Sequence, residues 1–187
     1  MDEQASLELR KTRAAPPPLR RRIMRVAWVA VDMTLFRYSF HTWNGWRTKV
    51  LRTFGAEIAP GCTIRRTARI YYPWNLKLGV ISCLGDRCEI YNLGMVTIGD
   101  RVSISQEAYV CAGTHDYMDR SMPLVTKPIT IKDDAWVCAR AFVGPGVTVG
   151  TGAIVGAASV AMRDVADWTI VAGNPAVFVK NRPPLSN

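Results

Sequence analysis

From Ile58 onward the chain places an aliphatic residue at every sixth position, in sets of three: Ile58, Ile64 and Ile70; Leu78, Leu84 and Ile90; Ile98, Ile104 and Val110. The sets start twenty residues apart, so each unit is three hexapeptides plus two residues. A later run, Ile131, Val137, Val143, Val149 and Val155, keeps the spacing of six without the extra pair. The fourth residue after each aliphatic is usually small: Cys62, Ala68, Ser82, Cys88, Gly94, Ala108, Thr114, Ala135, Ala141, Ala153 and Ser159. Six is an even number of strand steps, so the aliphatic and the small residue point to the same face of an extended segment. Hexapeptide repeats are a signature of the parallel β-helix, whose coils cannot bury an apolar face alone and stack to close a continuous core. Three short strands per coil predict a triangular, all-β prism over residues 54–176.

The chain before the repeat reads differently. It passes through "PPPLRRRIMR" to "VAWVAVDMTLF", an apolar run broken by Asp32 and too short for a spanning helix. The broken run and the lack of a clean cleavage site leave secretion as the minor alternative. The next stretch, "RYSFHTWNGWRTKVLRTFGAEI", interleaves Tyr38, Phe40, Trp43 and Trp46 with Arg37, Arg47, Lys49 and Arg52. Such a mixture suits a membrane interface, and equally suits packing on the prism or on a neighbouring subunit. Residues 1–53 hold eleven Lys and Arg against four Asp and Glu, a balance of +7 out of +9 for the whole chain. The basicity therefore belongs to a partly helical N-terminal extension, and without a module signature it does not point to nucleic acid. Residues 177–187 are read as a C-terminal tail.

Cysteine chemistry adds little. Cys62, Cys83, Cys88, Cys111 and Cys138 form an odd set with no CxxC pair and no histidines at metal-ligand spacing, so no metal is expected. Several fall on inward positions, which suits buried thiols in a reducing cytoplasm; a disulfide framework is the minor alternative.

One interruption stands out. In "CAGTHDYMDR" the repeat stops after His115 and resumes at Ile131, leaving an excursion over residues 116–130. The chain's other histidine, His41, lies outside the repeat.

The segment "ITIKDDAWVCARAFVGPGVTVGTGAIVGAASVAMRDV", followed by "VAGNPA", resembles the hexapeptide acyltransferases over about residues 55–180. That family folds as a left-handed parallel β-helix, a handedness opposite to the usual preference for parallel crossovers, so handedness here rests on the resemblance. More narrowly, "FRYSFHTWNGWRTKVLRTFGAEI" and "ISQEAYVCAGTHDY" resemble the colanic acid biosynthesis acetyltransferases, which modify sugars of exported polysaccharides.

The resemblance implies an acetyl-CoA-dependent O-acetyltransferase acting on a sugar hydroxyl in exopolysaccharide or surface polysaccharide biosynthesis. It makes His115 the general base, a role worth about 10²–10⁴ in rate. Asp116, Glu107, Asn92 or a backbone carbonyl could orient the ring, with Glu107 and Asn92 expected to face outward on nearby coils. Acetyl-CoA would lie in a groove between prisms of a homotrimer, against the backbone at Ala139 and Ala157. Arg163 and Lys180, with Arg182 in addition, would meet its phosphates; Val177 stands where the family pattern has a further arginine. Trp136 either walls the site or packs beneath the loop. The turn at Gly173–Ala176 is read as structural.

Other readings are kept beside this one. The acceptor could be an amino sugar, serine or a drug, and a non-catalytic solenoid scaffold would not need the histidine loop. A hexapeptide-repeat carbonic anhydrase needs three histidine ligands, and the solenoid has one. The expected location is cytoplasmic, peripheral at the inner membrane if the basic extension rests on anionic lipid.

Overall fold

The computed structural model describes residues 18–183; the beginning of the N-terminal extension and the last four residues of the tail lie outside the described residues. The repeat folds as a left-handed parallel β-helix. Its first face carries Glu57–Ile58, Leu76–Leu78, Val96–Ile98, Ile129–Ile131 and Thr148–Val149. The second face carries Thr63–Ile64, Cys83–Leu84, Ser103–Ile104, Trp136–Val137, Ile154–Val155 and Thr169–Ala172. The third carries Arg69–Ile70, Glu89–Tyr91, Tyr109–Cys111, Phe142–Val143 and Val160–Ala161.

The predicted register is the observed one. Ile58 pairs with Leu78 and Leu78 with Ile98 on the first face, and Ile64, Leu84, Ile104, Val137 and Val155 stack in turn on the second. Every aliphatic of the repeat is buried, as are all the small partners except Gly94 and Thr114. Both exceptions follow the third face, the corner that takes the extra pair of residues in the early coils. There the chain bulges through the short 3-10 turn Pro73–Asn75 in the first coil, and through Asn92 and Leu93 in the second.

A β-helix leaves an unpaired strand edge on each face of its first coil, and such edges invite pairing with other chains. The N-terminal extension covers all three. It consists of α1 (Leu19–Val31), a π-helical turn over Asp32–Phe36, and α2 (Asn44–Thr53). The Arg52 guanidinium donates to the Ile58 carbonyl, Arg47 Nε to the Ile64 carbonyl at 2.6 Å, and Trp28 Nε1 to the Ile70 carbonyl at 2.7 Å. Trp28 also packs edge-on against Phe36 and Phe54. The aromatics that pack on the prism are Trp28 and Phe36 of the preceding apolar run, whereas Tyr38, Phe40, Trp43 and Trp46, for which a membrane interface and packing were equal readings, are exposed. No helix among the described residues is long and apolar enough to cross a membrane.

At the other end, Val177–Asn181 is not a loose tail. It pairs antiparallel with Thr169–Ala172 and continues the second face. The Asn174-Pro175 bond in the preceding turn is cis. All five cysteines are free; Cys83 is half-buried and the others are buried, with burial pushing the Cys88 thiol up to about 12.

Candidate active site

The third coil leaves the prism at the widened corner, and it does so earlier than the repeat suggested. Gly113–His115 already forms the first arm of an antiparallel hairpin with Leu124–Thr126, so Thr114, expected to face inward, is exposed. The repeat spacing could not locate that departure, because hairpin arms carry no hexapeptide signal. His115 lies opposite Leu124 and is exposed, with Nδ1 2.6 Å from the Met122 carbonyl oxygen. A carbonyl only accepts, so the ring donates from Nδ1 and keeps the Nε2 lone pair for another partner. The hairpin tip fixes that carbonyl. Met122 sits at φ 44° and donates its N–H to Asp119 O at 2.8 Å, while Asp119 accepts from the Ser121 amide and hydroxyl, which hold its carboxyl below the usual range.

Of the four possible orienting groups, the structure places the backbone carbonyl on the ring. The Asp116 carboxylate accepts from the Met118 N–H at 3.0 Å, while its own amide donates to Pro123 O across the hairpin. Glu107 sits at a different corner, between the second and third faces, where it bridges Arg140 and Arg87. Those guanidinium partners, Arg140 first, hold its carboxyl below the ordinary range. Asn92 does not face outward. It is fully buried, with Oδ1 accepting from the Tyr72 N–H at 2.9 Å and Nδ2 donating to the Tyr72 carbonyl at 2.6 Å. A small polar residue at the widened corner satisfies the main chain of the coil below it.

Ala139 and Ala157 follow Val137 and Val155, which pair in register, so they stack one coil apart on one corner. The Ala158 N–H donates to Ala139 O at 2.9 Å, whereas the amides of Ala139 and Ala157 donate to no acceptor among the described residues. Two outward N–H groups thus lie along one edge. Trp136 is on the second face, half-exposed, donating from Nε1 to the Ser105 hydroxyl at 2.8 Å. Arg163 is exposed, following Val160–Ala161 at the same corner that releases the hairpin two coils earlier. Lys180 is exposed on the antiparallel edge strand, opposite Ile170. Arg182 is committed to the prism: it donates to Asp134 O at 2.8 Å and Gly152 O at 2.9 Å, and covers the Trp168 ring. Among the described residues no group of three or more His, Cys, Asp or Glu is placed to hold a metal ion.

A backbone carbonyl was among the expected partners of the ring, but that it belongs to Met122 was not legible in the sequence. It is main chain, and only the hairpin register puts it opposite the imidazole, so no side-chain pattern could signal it.

Comparison with known proteins gives the following. No family model matches the chain. WcaF of Escherichia coli (strain K12), an acetyltransferase provisionally assigned to colanic acid biosynthesis, is 39% identical over 155 residues, covering 83% of this chain and 85% of WcaF. The hexapeptide-repeat acetyltransferase VCA0836 of Vibrio cholerae O1 biovar eltor, solved with acetyl coenzyme A, superposes with a TM-score of 0.79 at 22% identity, over 90% of this chain and 92% of that one. A maltose O-acetyltransferase from Clostridium difficile 630 superposes with a TM-score of 0.77 at 20% identity, over 87% and 88% of the two chains. At these identities the two solved structures speak to the fold alone.

Proposed function

The chain belongs to the hexapeptide-repeat acetyltransferase family that includes WcaF, and from that premise we propose that it transfers the acetyl group of acetyl-CoA to a sugar hydroxyl, with His115 as general base, in the assembly of an exopolysaccharide or surface polysaccharide. The observation that carries the reading is the Nδ1 contact to the Met122 carbonyl, which leaves Nε2 as a proton acceptor on an exposed hairpin arm. A sugar hydroxyl is a poor nucleophile towards a thioester until a base takes its proton during attack. Nε2 takes that proton as the hydroxyl oxygen bonds to the acetyl carbonyl carbon. When the tetrahedral intermediate collapses and the C–S bond breaks, the imidazolium returns the proton to the departing sulfur.

The outward amides of Ala139 and Ala157 suit the close approach of an extended coenzyme chain, and Arg163 and Lys180 suit its phosphates. Arg182 serves better as a clamp on the corner than as a phosphate ligand, because its guanidinium already holds two carbonyls. A lone prism offers shallow surfaces, so a cyclic homotrimer with sites between subunits is the assembly that fits. The polysaccharide role and the sugar acceptor both lean on WcaF. The basic extension, resting on an anionic inner leaflet, would place a cytoplasmic enzyme beside such an acceptor.

The test is a coenzyme-release screen with purified protein, acetyl-CoA and a panel of free, nucleotide-linked and lipid-linked sugars, with amino sugars and serine as controls. Release with hydroxyl-bearing sugars and an O-acetyl ester in the product supports the reading. Release with serine or an amine alone overturns it.

A further inference from the structure

A second concave site lies between α1 and the first two coils, with a volume of about 550 Å³ and walls that include Arg21, Arg22, Arg25, Tyr72, Trp74 and Leu93. We infer that this pocket holds the diphosphate of a diphosphate-linked sugar acceptor and directs its sugar towards His115. The inference rests on the acetyltransferase reading above and names the acceptor class.

The charge comes first. Arg21 and Arg25 are one helical turn apart and Arg22 is three residues from Arg25, so the three guanidiniums share one side of α1. Among the described residues no carboxylate pairs with any of them, although eight ion pairs form elsewhere on the chain. Three like charges facing one concavity repel unless an anion sits between them, and the planar guanidinium fork matches phosphate oxygens in pairs. A diphosphate offers more negative charge and more acceptors than a carboxylate does.

The walls suit what is attached to that diphosphate. Tyr72 and Trp74 stack at 4.9 Å with their planes 16° apart, and Arg25 covers the Tyr72 ring. Both rings are half-buried and line the cavity, an apolar wall against which a sugar ring or a nucleobase can pack. The wall is rigid, because Asn92 grips Tyr72 through both its amide and its carbonyl, and Asn75 donates to the Asn92 and Leu93 carbonyls. This accounts for a buried asparagine that the catalytic hairpin does not use.

Position completes the argument. Tyr72 and Trp74 occupy the widened corner of the first coil and Leu93 the same corner of the second, and the hairpin leaves from that corner of the third. Leu93 lies against Gly113, its Cδ1 3.1 Å from where a Cβ on that residue would stand. Two coil spacings separate the pocket from the hairpin, about 10 Å along the axis, a span that one or two hexose rings cover. On the far side of His115 the same corner carries Arg163. Basic groups thus flank the histidine along one edge, one set placed for a donor and the other for an acceptor.

Two sources supply a diphosphate-linked sugar, a nucleoside diphosphate and a polyprenyl diphosphate. The exposed stripe Leu19, Ile23 and Val26 beside the arginines suits the polyprenyl chain. The experiment compares the wild type with the Arg21→Ala/Arg25→Ala variant on one hexose in three forms: free, nucleoside-diphosphate-linked and polyprenyl-diphosphate-linked in detergent micelles. The expected result is that preference for a diphosphate-linked form over the free hexose, read as a ratio of kcat/KM, falls at least about tenfold in the variant, the loss of one or two charge-assisted hydrogen bonds. Whichever linked form shows the larger loss identifies the source.

A ratio that does not move overturns the proposal, as does a rise in the acetyl-CoA KM alone, which would make the pocket a coenzyme site. Titration of nucleoside diphosphate hexose and of inorganic pyrophosphate into the wild type and the variant by calorimetry reads the pocket without turnover. Binding that the variant loses supports the pocket even if no sugar is acetylated, in which case the acetyltransferase reading fails by itself. No binding of either probe, or binding that the variant keeps in full, overturns it.

Discussion

Arg47 is fully buried, and among the described residues no carboxylate answers its charge. Its donors instead meet neutral oxygens: Nε the Ile64 carbonyl, one terminal nitrogen the Ser39 hydroxyl and Phe40 carbonyl, the other the His41 carbonyl and Asn44 Oδ1. Burial, then the charges of Arg65 and Arg66, push its pKa below the ordinary arginine value. Arg47→Met leaves several buried acceptors unsatisfied at about 1–3 kcal/mol each, so a total loss of about 3 kcal/mol or more is expected. Arg47→Lys, a compact donor without the fork, recovers only part of it. Urea unfolding midpoints check both, and a midpoint unchanged in Arg47→Met contradicts the end-cap account. A thiol offers a second check at this scale. With its pKa raised to about 12 by burial, Cys88 resists iodoacetamide at pH 8 in the folded protein and reacts once the chain is unfolded, which mass mapping of the labelled peptides would follow. Labelling of Cys88 in the native state contradicts the assigned core.

Among the elements, the strands were legible because a spacing of six has one extended solution, and each buried aliphatic column in the prism follows the residues that set it. The end cap was not legible. In sequence, Arg47 and Arg52 stand in a basic and aromatic stretch that suits a membrane interface and packing equally, since nothing local says that an unpaired strand edge waits beside them. Asn92 misled for a related reason: the two extra residues at the widened corner shift the inward phase, so a position read as outward turns in. The hairpin was legible as a break and not as a structure. Its role is to hold the Met122 carbonyl on the imidazole, and removing Tyr117–Arg120 displaces that carbonyl while leaving every coil paired. The shortened protein is expected to keep its thermal midpoint, because the removed residues are exposed, and to lose about 10²-fold or more in turnover, as when a positioned base is lost. Turnover unchanged by the deletion contradicts the role given to the hairpin.

For the whole molecule, the prism supplies a line of corners and the extension closes one end of it, and in the proposed trimer activity depends on how prisms meet each other and their acceptor. Light scattering is expected to give a trimer, and an active monomer at assay concentrations contradicts sites shared between subunits. The exposed aromatics of the extension, with its basic residues each worth about 1 kcal/mol at an anionic surface, predict binding to anionic vesicles that weakens with salt. A full-length protein that ignores such vesicles at low salt removes the membrane contact. The central claim is narrower than either assembly or location: one histidine, held by a backbone carbonyl, takes a proton from a sugar hydroxyl as that hydroxyl accepts an acetyl group. The direct measurement follows coenzyme release and O-acetyl ester formation by mass on one accepted sugar, for the wild type and His115→Ala in parallel, with melting curves of both. The account predicts ester from the wild type and turnover lower by at least about 10² in the variant at an unchanged melting temperature; a His115→Ala protein that keeps more than half of the wild-type turnover would contradict it.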